Sequence, residues 1–345
     1  MIKSVRFQNF TAFEDLKLEF SPGINVLLGQ NSTGKTHIMK VLYSACSVID
    51  IRETSTLEQK LSSVFLPDSI GRLVRRSVGR NKGRFSITRQ DQAGSRSSNI
   101  VCEVTTLNKC DVTDGAWRKD MRNPAVYIPV KDMLAIAPGF KSLYEHRELQ
   151  WEEIYVDILN RAYLPATRGR KTPQQNKLLK ILQRSIEGRV VVKDEQFYLS
   201  MPSDGTLGKG TLEFTLLAEG YRRLGLLYLL IQNESLTKGS ILFWDEPEAN
   251  LNPKLSKTVV EILMALAEMG VQIFVATHDY VFLKELEFAQ SSSSTSKFYS
   301  LYRSDSGAVS AATFDDFSEV APNSIDEAFD SLLAREINSR LDIEK

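Results

Sequence analysis

The sequence is poor in cysteine and histidine, with three of each among 345 residues. Cys46, Cys102 and Cys110 are odd in number and no two form a CxxC pair. Neither a disulfide framework nor a zinc site shared with His37, His146 and His278 is therefore expected. Each cysteine reads as a small buried apolar residue in a reducing cytoplasm. The chain also lacks net charge, because 43 Lys and Arg balance 43 Asp and Glu. That excludes an overall attraction to nucleic acid or to an anionic membrane and leaves only local patches. Long apolar runs are absent: the longest, about Leu224 to Ile231, falls far short of the roughly 20 residues that cross a bilayer. Met1 to Arg6 shows no charged-then-apolar leader layout. No internal repeat or sustained heptad is visible. What remains is an ordinary globular composition, 42% hydrophobic and 25% charged, long enough for two domains or one domain with a large insertion.

Alternating apolar residues predict strands over 1–10 and Phe13–Phe20. A Pro22-Gly23 turn leads to a more deeply buried strand at Asn25–Leu28. The spacing of Ile38, Val41, Leu42, Ala45 and Val48 predicts a helix over 37–49. Residues 52–98 are polar and basic, with Phe85–Thr88 and Ile100–Thr105 reading as strands of a side sheet. Ala125–Val130 reads as a short core strand, 131–188 as mostly helical, and Arg189–Met201 as a hairpin. Then a helix (Leu216–Gln232), a buried strand (Ser240–Trp244), a helix (Lys254–Met269) and a buried strand (Val271–Ala276) alternate, which predicts a parallel α/β sheet. A flexible serine-rich loop (Ser291–Ser296), an edge hairpin (Lys297–Tyr302 with Ala308–Thr313) and a mostly acidic amphipathic helix (Ile325–Leu341) complete the chain.

Two segments carry chemistry. Gly29-Gln30-Asn31-Ser32-Thr33-Gly34-Lys35-Thr36 matches GxxxxGK[ST] between a predicted strand and a predicted helix. Such a loop curls so that successive N–H groups face phosphate oxygens, assisted by the helix N-terminus. Lys35 would reach the β and γ phosphates of ATP, and the Thr36 hydroxyl would meet Mg²⁺. Ile241-Leu242-Phe243-Trp244-Asp245-Glu246-Pro247 is an apolar strand ending in two acids, as expected where an open α/β sheet binds ligands. Asp245 is the candidate Mg²⁺ holder and Glu246 the candidate base for an attacking water.

Lys35 and Asp245 stand 210 positions apart, a gap wider than compact kinases or GTPases show, which points to an interrupted ATPase core. Glu248-Ala249-Asn250-Leu251-Asn252-Pro253 follows directly, and Thr277-His278-Asp279 follows the next strand. With these motifs the chain resembles the ATP-binding-cassette heads of chromosome-maintenance, DNA-repair and phage-defence ATPases, over residues 1–50 and 210–285, and more weakly over 125–145. The resemblance implies an α/β fold: an ABC-type P-loop ATPase head with a side antiparallel sheet and an inserted, mostly helical subdomain. It implies ATP and Mg²⁺ as cofactors, sandwiched between two heads, with catalysis resting on Lys35, Glu246 and His278. Asn250 resembles the loop that crosses the dimer interface, and His278 the switch histidine at the γ-phosphate. Leu217-Ala218-Glu219-Gly220-Tyr221 resembles the LSGGQ signature, with Ala218 in place of the serine. A glutamine loop is not evident, and Lys131 or Asp132 stands in its place. Asn9-Phe10-Thr11 resembles the strand end near the adenine or phosphates, or is a plain strand-to-turn junction.

These readings divide the chain into an N-terminal ATPase lobe (1–130), a helical insertion (131–205), a C-terminal ATPase lobe (206–290) and an edge hairpin with terminal helix (291–345). The middle is too short for long coiled-coil arms, the stretch after His278 leaves no room for a nuclease domain, and the acids near Asp305 are too few for a two-metal nuclease. The stretch Leu242 to Pro253 and the segment from Tyr127-Ile128-Pro129 to Tyr144 resemble short ATPases encoded beside effectors in Septu, retron-associated or toxin–antitoxin defence systems, similar to the overcoming-lysogenisation-defect type without its nuclease. That likeness implies a cytoplasmic, ATP-hydrolysing dimeric switch whose partner is a protein effector, a nuclease or toxin, with no membrane involved. The alternative is a RecF-like repair ATPase that binds DNA directly. For it, Arg72, Arg75, Arg76, Arg80, Lys82, Arg84 and Arg89 form a basic stretch, with Arg168, Arg170 and Lys171 as a smaller group. A protein-docking face and a merely solvated surface are equally open readings of these residues.

Overall fold

The computed structural model of the chain describes residues 1–49, 54–90, 96–114, 117, 124–146, 149–202, 209–290, 296–304 and 307–343. The serine-rich loop, apart from Ser296, and the Asp305 region lie outside them. Three strands open the chain: β1 (Ile2–Phe10), β2 (Phe13–Glu19) and β3 (Ile24–Gly29). The helices α1 (Lys35–Ser47) and α2 (Leu57–Phe65) follow, then β4 (Lys82–Gln90), β5 (Ser97–Thr105), β6 (Cys110–Thr113) and β7 (Ala125–Ile128). The middle holds α3 (Ala137–Glu145), α4 (Glu153–Ala162), α5 (Pro173–Ser185), β8 (Arg189–Lys193), β9 (Gln196–Met201) and β10 (Gly210–Glu213). The last third holds α6 (Glu219–Gln232), β11 (Ile241–Asp245), α7 (Pro253–Glu268), β12 (Gln272–Ala276), α8 (Tyr280–Ala289), β13 (Lys297–Arg303), β14 (Val309–Phe314) and α9 (Ser324–Ile343).

The main sheet has the order β14-β13-β3-β12-β11-β7. Its strands pair in parallel except for β14, which closes one edge as the antiparallel partner of β13. Alternate residues of its central strands point into two different cores. Phe243 of β11, Phe274 of β12 and Leu27 of β3 meet α1 and the antiparallel side sheet β2-β1-β4-β5-β6. Leu242, Trp244, Ile273 and Val26 meet α6, α7 and the helices of the middle segment. Burial on both faces is why β11 and β12 read as unbroken apolar runs. Met133, Phe140, Leu159, Leu182 and Phe197, from residues 131–201, share that second core with the sheet. The expected hairpin at 189–201 gains a third strand, β10, paired with β9.

Helix α2 lies in a stretch whose polarity masked it. A capping box starts it: the Thr56 hydroxyl accepts from the Gln59 amide at 3.2 Å, and the Gln59 side chain accepts from the Thr56 amide at 2.9 Å. Its Lys60 is completely buried, with Nζ 2.8 Å from Asp157 and 3.1 Å from Glu153 on α4. Asp157 also accepts the Tyr43 hydroxyl of α1 at 2.6 Å. One ammonium therefore ties α2, α4 and α1 together behind the main sheet. The lone arginine of the basic stretch that faces inward is Arg89, stacked 3.7 Å over Trp117 and bonded to its carbonyl at 2.9 Å. It is buried and contributes nothing to a surface patch. No helix among the described residues is long and apolar enough to cross a membrane. Removing one partner of a buried ion pair leaves the others uncompensated. Lys60→Ala should therefore cost about 3–5 kcal/mol in urea unfolding, and a loss below about 1 kcal/mol would place the pair in water instead.

Candidate active site

The site assembles at the carboxyl ends of β3, β11 and β12. β3 runs into the loop 29–36, whose crest, Gln30, Asn31 and Ser32, is exposed. Gly34, the residue before α1, has φ 88°, and a Cβ there would sit 2.5 Å from the Phe13 ring. Only glycine meets both demands. Lys35 is buried and turns back along the loop, donating to the carbonyls of Gly29 at 2.7 Å and Gln30 at 3.0 Å. The Thr33 hydroxyl donates to the same Gln30 carbonyl at 2.8 Å. Burial lowers the Lys35 pKa, against the upward pull of Asp245, Glu246 and Glu248. The Asn9-Phe10-Thr11 turn leads into Ala12 and Phe13, which lie against Gly34; Asn9 and Thr11 have φ of 47° and 49°, and their backbones bond Arg75 and Leu73.

Asp245 ends β11 with its side chain buried. Its Oδ2 accepts the Thr36 hydroxyl at 3.0 Å and the Tyr127 hydroxyl of β7 at 3.1 Å. Burial raises the Asp245 pKa, while these two hydrogen bonds oppose the rise. Glu246 turns out of the strand at φ 49°, and its Oε1 stands 3.3 Å from His278 Nδ1. Glu248 faces the segment after β12. Its Oε1 accepts the Thr277 hydroxyl at 2.6 Å and the His278 amide at 3.4 Å.

The signature-like segment reaches the same place from below. α6 begins at Glu219, three residues later than the apolar spacing suggests, because 214–216 form a short 3-10 turn. Ala218 is its N-cap and makes no side-chain bond there, so the Gly220 N–H lacks the usual hydroxyl cap, while the Tyr221 N–H donates to the Ala218 carbonyl at 3.1 Å. Glu219 accepts the Asn250 side-chain amide at 3.0 Å and pairs with Arg223 at 3.1 Å. Arg223 is buried and donates to the Glu246 carbonyl at 3.0 Å and to the Val130 carbonyl. Glu219, Asn250 and the Glu246 backbone thus belong to one network. Of the two candidates for a glutamine loop, Asp132 is held by Arg222 at 2.5 Å and Lys131 lies 5.1 Å over the Trp151 ring.

Residue patterns alone give no role to Tyr127 and Arg223, and mark Glu248 and Thr277 only as members of the motifs around Asn250 and His278. A hydroxyl within the apolar strand Ala125–Ile128 and an arginine within the apolar face of α6 were the available signals. The basic stretch is less positive than its sequence. Arg72, Arg75 and Lys82 pair with Asp68 at 3.9 Å, Glu14 at 3.4 Å and Glu103 at 2.7 Å. Lys171 is turned onto the Gln232 carbonyl at 2.7 Å and Glu234 at 3.2 Å.

Mg²⁺ takes few protein oxygens and keeps the rest of its shell for water and phosphate. Thr36 and Asp245, hard oxygen donors in contact beside a phosphate loop, fit such an ion. Among the described residues no group of three or more His, Cys, Asp or Glu side chains is placed to hold a metal.

Residues 118–284 match a family described as an AAA domain, putative AbiEii toxin, Type IV TA system, and residues 1–61 match an AAA ATPase domain. Two solved structures share the fold. The SMC head domain from Thermotoga maritima superposes with a TM-score of 0.53 at 12% identity, covering 91% of this chain and 98% of that one. An SmcHead bound to the C-winged helix domain of ScpA superposes at 0.60 with 12% identity over 92% and 98%. The DNA replication and repair protein RecF of Lactococcus lactis subsp. cremoris is 45% identical over 42 residues, 12% of each protein. The chain thus has the fold of the SMC head domains, and two stretches of it match AAA-type ATPase domain families.

Burial lifts the Glu248 carboxyl from 4.5 to about 7. The folded chain therefore keeps a proton that the unfolded chain releases. Its contribution to stability is full below about pH 4.5 and is lost as pH rises through about 7. Glu248→Gln keeps an acceptor for Thr277 but cannot ionise. The melting temperature of this variant, relative to the unsubstituted chain, should climb from about pH 5 to about pH 8; a constant difference would contradict the raised carboxyl.

Proposed function

We propose that the chain is an ATP-dependent switch in which two copies close on ATP and Mg²⁺ and thereby control a protein effector, a nuclease or toxin, in antiphage defence. The observation that carries this reading is the convergence of Thr36 with Asp245 at 3.0 Å and of Glu246 with His278 at 3.3 Å on neighbouring strand ends. Lys35, released from the carbonyls of Gly29 and Gln30, exchanges two neutral acceptors for phosphate oxygens, a stronger charge-assisted pairing. Mg²⁺, when bound, neutralises charge developing on the phosphates. Thr36 and Asp245 hold it, and the Tyr127 bond fixes the carboxylate in place. Glu246 orients water and takes its proton, and His278 at its side donates toward the γ-phosphate.

The signature segment serves the partner copy. Without a serine hydroxyl at Ala218, contact across the pair falls to the amides at the start of α6 and the helix N-terminus. That gives a weak homodimer, stabilised when the effector is present. The AbiEii-type family match supports the effector reading. Glu246→Gln should slow hydrolysis by about 10²–10⁴-fold while leaving ATP binding intact. Light scattering on that variant should then show a change from one chain to two when ATP and Mg²⁺ are added. A mass that ignores nucleotide would refute the sandwich.

The short RecF match favours one second reading, direct DNA binding. Arg76, Arg80 and Arg84 then supply the phosphate contacts, since Arg72, Arg75 and Lys82 are engaged by acids. Neutralising those three should lower the slope of log affinity for duplex DNA against log salt by about 3. Duplex binding that is absent, or unchanged in the variant, would remove this reading.

A further inference from the structure

The hairpin that closes the main sheet also presses on the phosphate loop. β13 pairs with β3 so that Leu301 stands opposite Gly29. A Cβ on Gly29, whose φ is 138°, would lie 2.1 Å from the Leu301 carbonyl oxygen. Two residues further, Arg303 Nη2 donates to the carbonyl of Ser32 in the middle of the loop at 3.0 Å, and its Nη1 donates to the Gly307 carbonyl of the β13–β14 turn at 3.1 Å. Ser32 has φ 63°, a left-handed conformation that glycine adopts freely and that a residue bearing a Cβ resists. The loop thus has its least comfortable peptide held by a cation from a strand 271 positions away.

We propose that Arg303 is a positioning residue for nucleotide binding. It clamps the Ser32 peptide in the left-handed form and so presets the loop for phosphate. This deepens the reading of the site as ATP-binding and rests on it. The planar fork of the guanidinium suits the task, because it bridges two carbonyls with two nitrogens, which an ammonium on a flexible stem does not do with fixed geometry. A loop fixed beforehand loses less conformational freedom when the ligand arrives.

The test is an equilibrium titration of the full chain with a fluorescent ATP analogue and Mg²⁺. Arg303→Ala should weaken binding about fivefold to tenfold, the worth of one ordinary hydrogen bond, because solvent around this exposed guanidinium screens its charge. Arg303→Lys should lose nearly as much. In the Ser32→Gly background, where the left-handed conformation is free, Arg303→Ala should cost less than about twofold. Equal losses in both backgrounds, recovery by Arg303→Lys, or no loss in Arg303→Ala would each overturn the proposal, pointing to direct attraction of phosphate or to no role. Failure of the unsubstituted chain to bind ATP would overturn the nucleotide reading, and this proposal with it.

Discussion

The five parallel strands of the main sheet are buried on both faces, and the candidate site is arranged around that fact. A strand covered by α1 and the side sheet on one face and by α6 and α7 on the other has nowhere to place a charge along its length. Charged groups can appear only where a strand ends. Asp245, Glu246, Thr277 and the phosphate loop all stand within a residue or two of such ends. The clustering of chemistry at one rim follows from the double burial.

The same rim has a low capacity for solvated charge. Burial raises Asp245 and Glu248 and lowers Lys35. Each shift marks an ion short of water, tolerated because hydroxyls of Thr36, Tyr127 and Thr277 and backbone carbonyls stand in for it. A triphosphate with a divalent ion brings charges of both signs to groups already stripped of solvent. In the proposed function, its binding adds charge partners where these groups have little water.

Much of this organisation was legible in residue patterns, for reasons that differ by element. The loop 29–36, the strand into Asp245 and the alternation of strands with helices could be read because each is a local signal: glycine spacing, an apolar run, a period. Helix α2 escaped notice because its inward-facing Lys60 looks like a surface residue until Asp157 and Glu153, 97 and 93 positions later, are brought to it. Arg89 was counted with surface cations for the same reason, since nothing near it in sequence announces Trp117 as a stacking partner. Tyr127, Glu248 and Arg303 act through contacts with residues far along the chain. The basic stretch appeared stronger than it is because two of its acids, Glu14 and Glu103, come from distant segments and the third, Asp68, lies just before it.

One of those distant contacts bears on how the chain comes into being. Residues 29–36 are made well before the residues that wall them in: Gly29 is shaped around Leu301, and Ser32 is bonded to Arg303, 271 positions later. Until the last strands of the sheet arrive, the loop has its sequence without its walls, and the β12 neighbour of β3 is missing as well. Domains assemble as units once their partners are synthesised, and contacts this far apart in sequence form late. The loop therefore reaches its walled form only after the strand that closes the sheet has been made and has docked beside β3.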